Sequence, residues 1–176
     1  MRLQTDPEWS AQDPVLGPIF HRWSCLVFSL LRCAEVAASK NLSDDDVFSI
    51  YKRGQVSLAW DGKEPVIGEN SYVADPNELL RFAAEQLGTD HRLYQIGKKD
   101  LITGAESWWG LKDPPDQTVD FTIIQGETPY GTPENPGLHF RAGDGQGNEI
   151  YNPDPSVNFI SGRERTALVY YQLRVG

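Results

Sequence analysis

The stretch SCLVFSLLRCAEVAA, from Ser24 to Ala38, decides how the chain is read. Leu26, Val27, Leu30, Leu31, Ala34, Ala37 and Ala38 recur at three- and four-residue spacings, which predicts a helix with one buried stripe. Ser24 is a candidate N-cap, so Cys25 stands in the first turn, where free N–H groups and the helix dipole favour a thiolate. Cys33, beside Ala34 in the same helix, reads as a small core hydrophobe. The two cysteines lie roughly 12 Å apart along a helix, beyond the ~7 Å reach of a disulfide. Two free thiols fit a reducing compartment, and without a CxxC or clustered histidines they make a poor zinc site.

Working outward, the first twenty residues, with Pro7, Pro14, Gly17 and Pro18, read as irregular. A second helix is expected from Ser43, with Asp46 closing a capping box, Val47, Ile50 and Tyr51 as its apolar face and Gly54 as its end. A third has Asp75 as cap, Pro76 in its first turn and Gly88 as stop, with Leu79, Leu80, Phe82, Ala83 and Leu87 facing a core. The second half then changes character. Segments 119–125, 137–142, 149–151 and 167–175 read as strands, 143–147 as a tight turn and the proline-bearing 127–136 as a loop. Helices followed by an antiparallel sheet define an α+β chain. The expected organisation is an irregular N-terminal lead-in over 1–18 and a single domain over 19–176.

Of 176 residues, 39% are apolar and 23% charged, ordinary proportions for a soluble globular protein. The net charge of −9 repels phosphates, so nucleic acid is not an expected partner. No apolar run approaches the ~18 residues of a membrane span, and no basic-then-apolar leader opens the sequence. A cytoplasmic location with no membrane partner is the expectation, release by another route remaining open.

Thiol-dependent hydrolysis needs a thiolate at an electropositive place, an imidazole to move the proton, a polar group to orient that imidazole and donors for the oxyanion. Cys25 supplies the first and His139, in Gly-Leu-His-Phe, the second. One hairpin on, Tyr-Asn-Pro-Asp-Pro offers Asn152 as orienting group, with Asp154 as the alternative. Antiparallel pairing through the short turn sets the Asn152 strand beside the His139 strand.

This order, with Cys25-Leu26-Val27-Phe28-Ser29-Leu30-Leu31, then Leu138-His139-Phe140, then Ile150-Tyr151-Asn152-Pro153, resembles the papain-like cysteine peptidases. Within them it looks most like C39-like peptidases and a related uncharacterised group of spirochaetes and phages. The resemblance runs from Ile19 to Pro155 and implies a papain-like fold with Cys25 as nucleophile, His139 as base and Asn152 as orienting residue. It implies no cofactor and no metal, and a peptide, isopeptide or peptidoglycan substrate. Ser24 stands where that pattern carries glycine. Ile19 stands where it carries an oxyanion glutamine, which leaves backbone N–H groups and His21 as substitutes, with Ser24 a further candidate for an oxyanion or substrate contact. Two readings follow: a hydrolase acting through an acyl-thioester, or an inactive papain-like binding or structural protein, such as a phage or host-interaction factor.

Other polar features have plainer readings. Asp44 to Asp46 suit a helix start, His91 the surface, and 144–148 a hairpin turn rather than a calcium loop. Trp108 and Trp109 either flank a substrate cleft or cover a sheet edge.

Overall fold

A computed structural model describes residues 1–109 and 118–176. The chain is α+β. Five helices, α1 (Glu8–Gln12), α2 (Leu16–Trp23), α3 (Cys25–Ala38), α4 (Asp44–Val56) and α5 (Pro76–Leu87), precede a six-stranded antiparallel sheet. Its strands are β1 (His91–Asp100), β2 (Glu106–Trp108), β3 (Phe121–Gly131), β4 (Pro136–Asp144), β5 (Glu149–Tyr151) and β6 (Ala167–Val175), in the order β2-β1-β6-β3-β4-β5. Among the described residues, no helix is long and apolar enough to cross a membrane.

Local chemistry accounts for the helix boundaries. At the start of α4, Ser43 Oγ accepts from the Asp46 N–H and the Asp46 carboxylate accepts from the Ser43 N–H at 2.8 Å. Gly54 does not end this helix, which runs on to Val56. A Cβ there would come within 2.7 Å of Ile67, so the glycine admits the following loop against the helix instead. For α5, Asp75 Oδ1 accepts from the Glu78 N–H, and Gly88 closes the helix in the left-handed region at φ 63°.

Residues 1–18 are not the irregular lead-in that the prolines suggested. They hold α1 and the start of α2, and Trp9 is fully buried. Its ring meets Phe20, Phe28 and Phe48 edge to face, with centroids 5.3–5.5 Å apart, an arrangement suited to the ring quadrupoles. A five-residue helix that buries one side chain has no periodicity to read. Pro18 is accommodated in α2 because it falls in the first turn, where its N–H would lack a helical partner anyway.

The helices cover one face of the sheet. α3 lies against β4 and β3, and α5 against β1. The core joins Val27, Phe28, Leu31, Leu80, Ile123 and Tyr171, among others. Ser29, one turn into α3, donates from its hydroxyl to the Phe140 carbonyl of β4 at 3.1 Å, which fixes helix against strand. On the opposite face Ile96, Ile124, Leu168 and Tyr170 form a smaller apolar cluster.

Two strand expectations change. β1 was not foreseen, His91 having read as a surface residue. One additional residue, Ile96, interrupts its pairing with β6, and its buried Leu93 and Ile96 belong to opposite faces. β3 and β4 also extend through much of the supposed loop 127–136, with an irregularity between Thr128 and Gly131 that accommodates Pro129.

Candidate functional site

Helix α2 ends at Trp23 and α3 begins at Cys25, with Ser24 alone between them. Ser24 occupies the N-cap position but its side chain caps nothing. Its fully buried hydroxyl pairs instead with Ser71 Oγ at 2.7 Å, and Ser71 Oγ pairs with Tyr51 Oη at 2.6 Å. This chain of hydroxyls anchors the α2–α3 junction to the α4–α5 connection. It also leaves the first-turn amides of α3 free of a side-chain cap, turned toward the half-buried Cys25 thiol.

His139 lies on β4, opposite Gly126 of β3, and is 3% exposed. Its Nε2 is 2.8 Å from Asn152 Oδ1, just beyond β5. An amide oxygen can only accept, so Nε2 carries the proton and Nδ1 is the basic nitrogen. The same Asn152 oxygen accepts the Asp154 N–H at 3.2 Å, so the residue that orients the imidazole is itself locked by its own turn. Asp154 touches Ser156, not His139: its Oδ1 accepts from the Ser156 N–H and hydroxyl. Of the two orienting candidates, then, Asn152 meets the imidazole.

Phe159 leans on the imidazole with its ring centroid 5.8 Å away. It fits because Gly126 has no side chain; a Cβ there would stand 2.5 Å from the Phe159 ring and 2.5 Å from the Glu164 carbonyl. Arg141, two residues along β4, packs its guanidinium over the same ring at 4.8 Å. It donates to Glu149 on β5 and to the Glu164 carbonyl.

Cys25 and His139 line one cleft of about 470 Å³, within the usual range for ligand sites. They make no hydrogen bond to one another, and Nδ1 has no protein partner among the described residues. Burial pushes the Cys25 thiol up to about 11, partly offset by the N–H groups of Phe140, Leu26 and Cys25 itself, while the charge of Asp154 adds to the rise. Burial also lowers His139, against the opposing effects of Asn152 and Asp154. Both shifts favour a neutral thiol beside a neutral imidazole at rest. Cys33 is pushed up to about 12 by burial and sits in the core.

The sequence offered no glutamine at position 19, where Ile19 packs on the core. A glutamine nevertheless reaches the cleft from elsewhere: Gln4, 3% exposed. Its backbone N–H donates to Pro153 and its Nε2 to the His21 carbonyl, at 3.2 and 3.1 Å. This bridges the segment after β5 to the end of α2. Oε1 is buried with no partner among the described residues, and Nε2 keeps a second hydrogen. No spacing rule could have found Gln4, because two helices separate it from Cys25.

His21 lines the cleft from the last turn of α2, beside Arg22 and the exposed Trp23. The structure removes the other sequence candidates from the site. The Ser24 hydroxyl is occupied behind the helix start, too buried to meet a substrate. Trp108 lies in β2, at the sheet edge opposite β5, stacked on Tyr170 at 5.0 Å, and Trp109 follows it. Tyr130 and Leu138, exposed on β3 and β4, are the apolar rim that sequence alone did not single out. Among the described residues, no group of three or more potential ligands is placed to hold a metal ion.

No family model matches the chain, and no solved structure matches it. A malto-oligosyltrehalose trehalohydrolase of Brevibacterium helvolum is 32% identical over 94 residues, covering 51% of this chain. The chain spans only 16% of the length of that curated protein.

Proposed function

We propose that the chain is a papain-like cysteine hydrolase that cleaves an amide or peptide bond through an acyl-thioester on Cys25. The observation that carries the reading is the 2.8 Å bond from His139 Nε2 to Asn152 Oδ1, which leaves a basic Nδ1 in the cleft that Cys25 shares. Nδ1 takes the thiol proton as sulfur attacks the carbonyl carbon. The oxyanion meets the free amides at the start of α3 and the second Nε2 hydrogen of Gln4. Collapse breaks the C–N bond, and His139 returns its proton to the departing amine. Water, deprotonated by the same nitrogen, then releases the acid and restores the thiol.

The neutral resting pair and the missing thiol–imidazole hydrogen bond favour a second reading, a binding protein on this frame without turnover. The trehalohydrolase similarity favours neither. Glycoside hydrolysis uses a pair of carboxyl groups, and Asp154 is the one carboxylate among the described cleft residues.

Incubation with a peptide bearing an electrophilic carbonyl, followed by intact mass, separates the two. The hydrolase reading expects one adduct, on Cys25, lost in Cys25→Ala and slowed at least tenfold in His139→Ala. Adduct formation indifferent to His139 would sink it.

A further inference from the structure

The geometry points to Asp154 as the seat for a positively charged group of the substrate, so that the cleft selects amide bonds flanked by a cationic side chain or amine. This rests on the hydrolase reading for the word substrate; the cation seat itself stands on the cleft alone.

Asp154 lines the same cleft as Cys25 and His139 and is half-buried. Its position relative to the imidazole is fixed, because its N–H and His139 Nε2 both bond Asn152 Oδ1. Its carboxylate is also held, since Oδ1 accepts two hydrogen bonds from Ser156. Those bonds use one oxygen. Among the described residues Oδ2 has no hydrogen-bond partner and no cation pairs with this carboxylate, although eleven ion pairs occupy acids elsewhere among them. An unneutralised carboxylate, partly withdrawn from water and pinned by its own turn, is a preformed site for an ammonium or guanidinium.

The electrostatic setting agrees. Asp154 acts on both Cys25 and His139 through its charge, so it lies within reach of the reacting atoms. Two basic groups share the cleft. His21 and Arg22 line it from the end of α2, both exposed, and Arg22 rests its guanidinium on the Trp23 ring at 4.8 Å. Arg22 thus spends its guanidinium on an aromatic face and makes no ion pair with Asp154 among the described residues. A cation bound there would replace an unfavourable field at the thiolate with a neutral pair.

The test compares two thiol reagents on the intact protein, one with a trimethylammonium and one with a sulfonate head. Each forms a mixed disulfide with Cys25 and releases methanesulfinate. The ratio of cationic to anionic rates, read by intact mass, is measured for the native chain, Asp154→Asn and Asp154→Glu. Asn keeps an acceptor for Ser156, so the turn is retained. At an effective dielectric between those of the protein interior and bulk water, removing one unit charge several ångströms from the reacting group changes that ratio by roughly fivefold. The expected result is such a fall in Asp154→Asn and its recovery in Asp154→Glu. An unchanged ratio in Asp154→Asn overturns the cation seat. Cleavage of a mixed peptide library, read by mass spectrometry, tests the substrate class. Cuts enriched near Lys and Arg, with the enrichment lost in Asp154→Asn, support it, and cuts without that bias overturn it. A native protein that cuts nothing sinks the hydrolase reading, while the reagent ratio still decides the cation seat.

Discussion

Substituting Gly126 by alanine adds a single methyl group where β3 faces β4, and the structure says where it goes. The new carbon would lie 2.5 Å from a Phe159 ring carbon, 2.9 Å from a second, and 2.5 Å from the Glu164 carbonyl oxygen. Comfortable carbon contacts begin near 3.5 Å, so ring and backbone must retreat by about 1 Å. Gly126 is not in the left-handed region, so no backbone strain confuses the result. On that account alone alanine would stabilise, by about 0.4–1 kcal/mol, through the unfolded chain. Overpacking of this kind costs about 1–3 kcal/mol, so the net effect is a destabilisation of up to about 2.6 kcal/mol. At about 2–4 °C per kcal/mol for a chain of this size, the melting temperature falls by up to roughly 10 °C. A second readout separates packing from site. Phe159 covers His139, and its retreat admits water, so the lowered imidazole pKa climbs back toward its ordinary value of about 6.5. Urea denaturation gives the first quantity and an NMR titration of the His139 ring the second. A variant as stable as the native chain, with an unmoved His139 titration, would refute the packing of Gly126, Phe159 and His139 described above.

Trp9→Ala should destabilise by about 3–5 kcal/mol, since the ring is fully buried among three phenylalanines; denaturant titration reads this, and a loss under 1 kcal/mol would contradict that core. Asn152→Asp places a negative charge on the imidazole Nε2–H, so the His139 titration should move upward, while Asn152→Ala removes the acceptor and should move it down. Alkylation of Cys25 by neutral iodoacetamide should keep accelerating above pH 9, because the thiol is raised, while Cys33 stays unreactive; a plateau below pH 7 would indicate a standing thiolate–imidazolium pair. For acid stability, His139, Asp44, Asp46 and Glu78 all have lowered values when folded, so the unfolded chain binds more protons as pH falls. Stability should hold from pH ~6.5 to ~8.5, above which the raised Cys25 and Cys33 thiols lower it; on the acid side it should decline through the His139 range and fall further below pH ~4.5, by an amount tempered by the exposure of the carboxylates.

Sequence made legible whatever local chemistry decides. Ser43 with Asp46, and Asp75 with Pro76 and Gly88, mark helix ends because caps act over three or four residues. The meeting of His139 and Asn152 could be foreseen for a related reason, since a short turn sets their strands side by side. What stayed hidden depends on distant packing. β1 mixes lysines with apolar residues serving two faces and an irregular register, so it shows no clean alternation. Trp9 buries itself from a helix too short to have a pattern. Gln4 enters the cleft only because the segment before α1 crosses between Pro153 and His21. The tryptophan pair stayed open between two readings because adjacent aromatics look alike whether they rim a cleft or stack on a sheet.

The position of β6 has a consequence for the order in which the protein comes into being. It is the last strand in chain order, yet it pairs with both β1 and β3. Until residues 167–175 have been made, a growing chain holds a two-stranded hairpin and a three-stranded meander with no ladder joining them. The contacts that unite them span 42 to 84 residues, and contacts so distant in sequence close slowly. The nascent chain thus exposes two unpaired sheet edges during that interval, surfaces on which wrong pairings start. Releasing the chain with β6 already available, by refolding from denaturant, should outperform any protocol in which that strand arrives late.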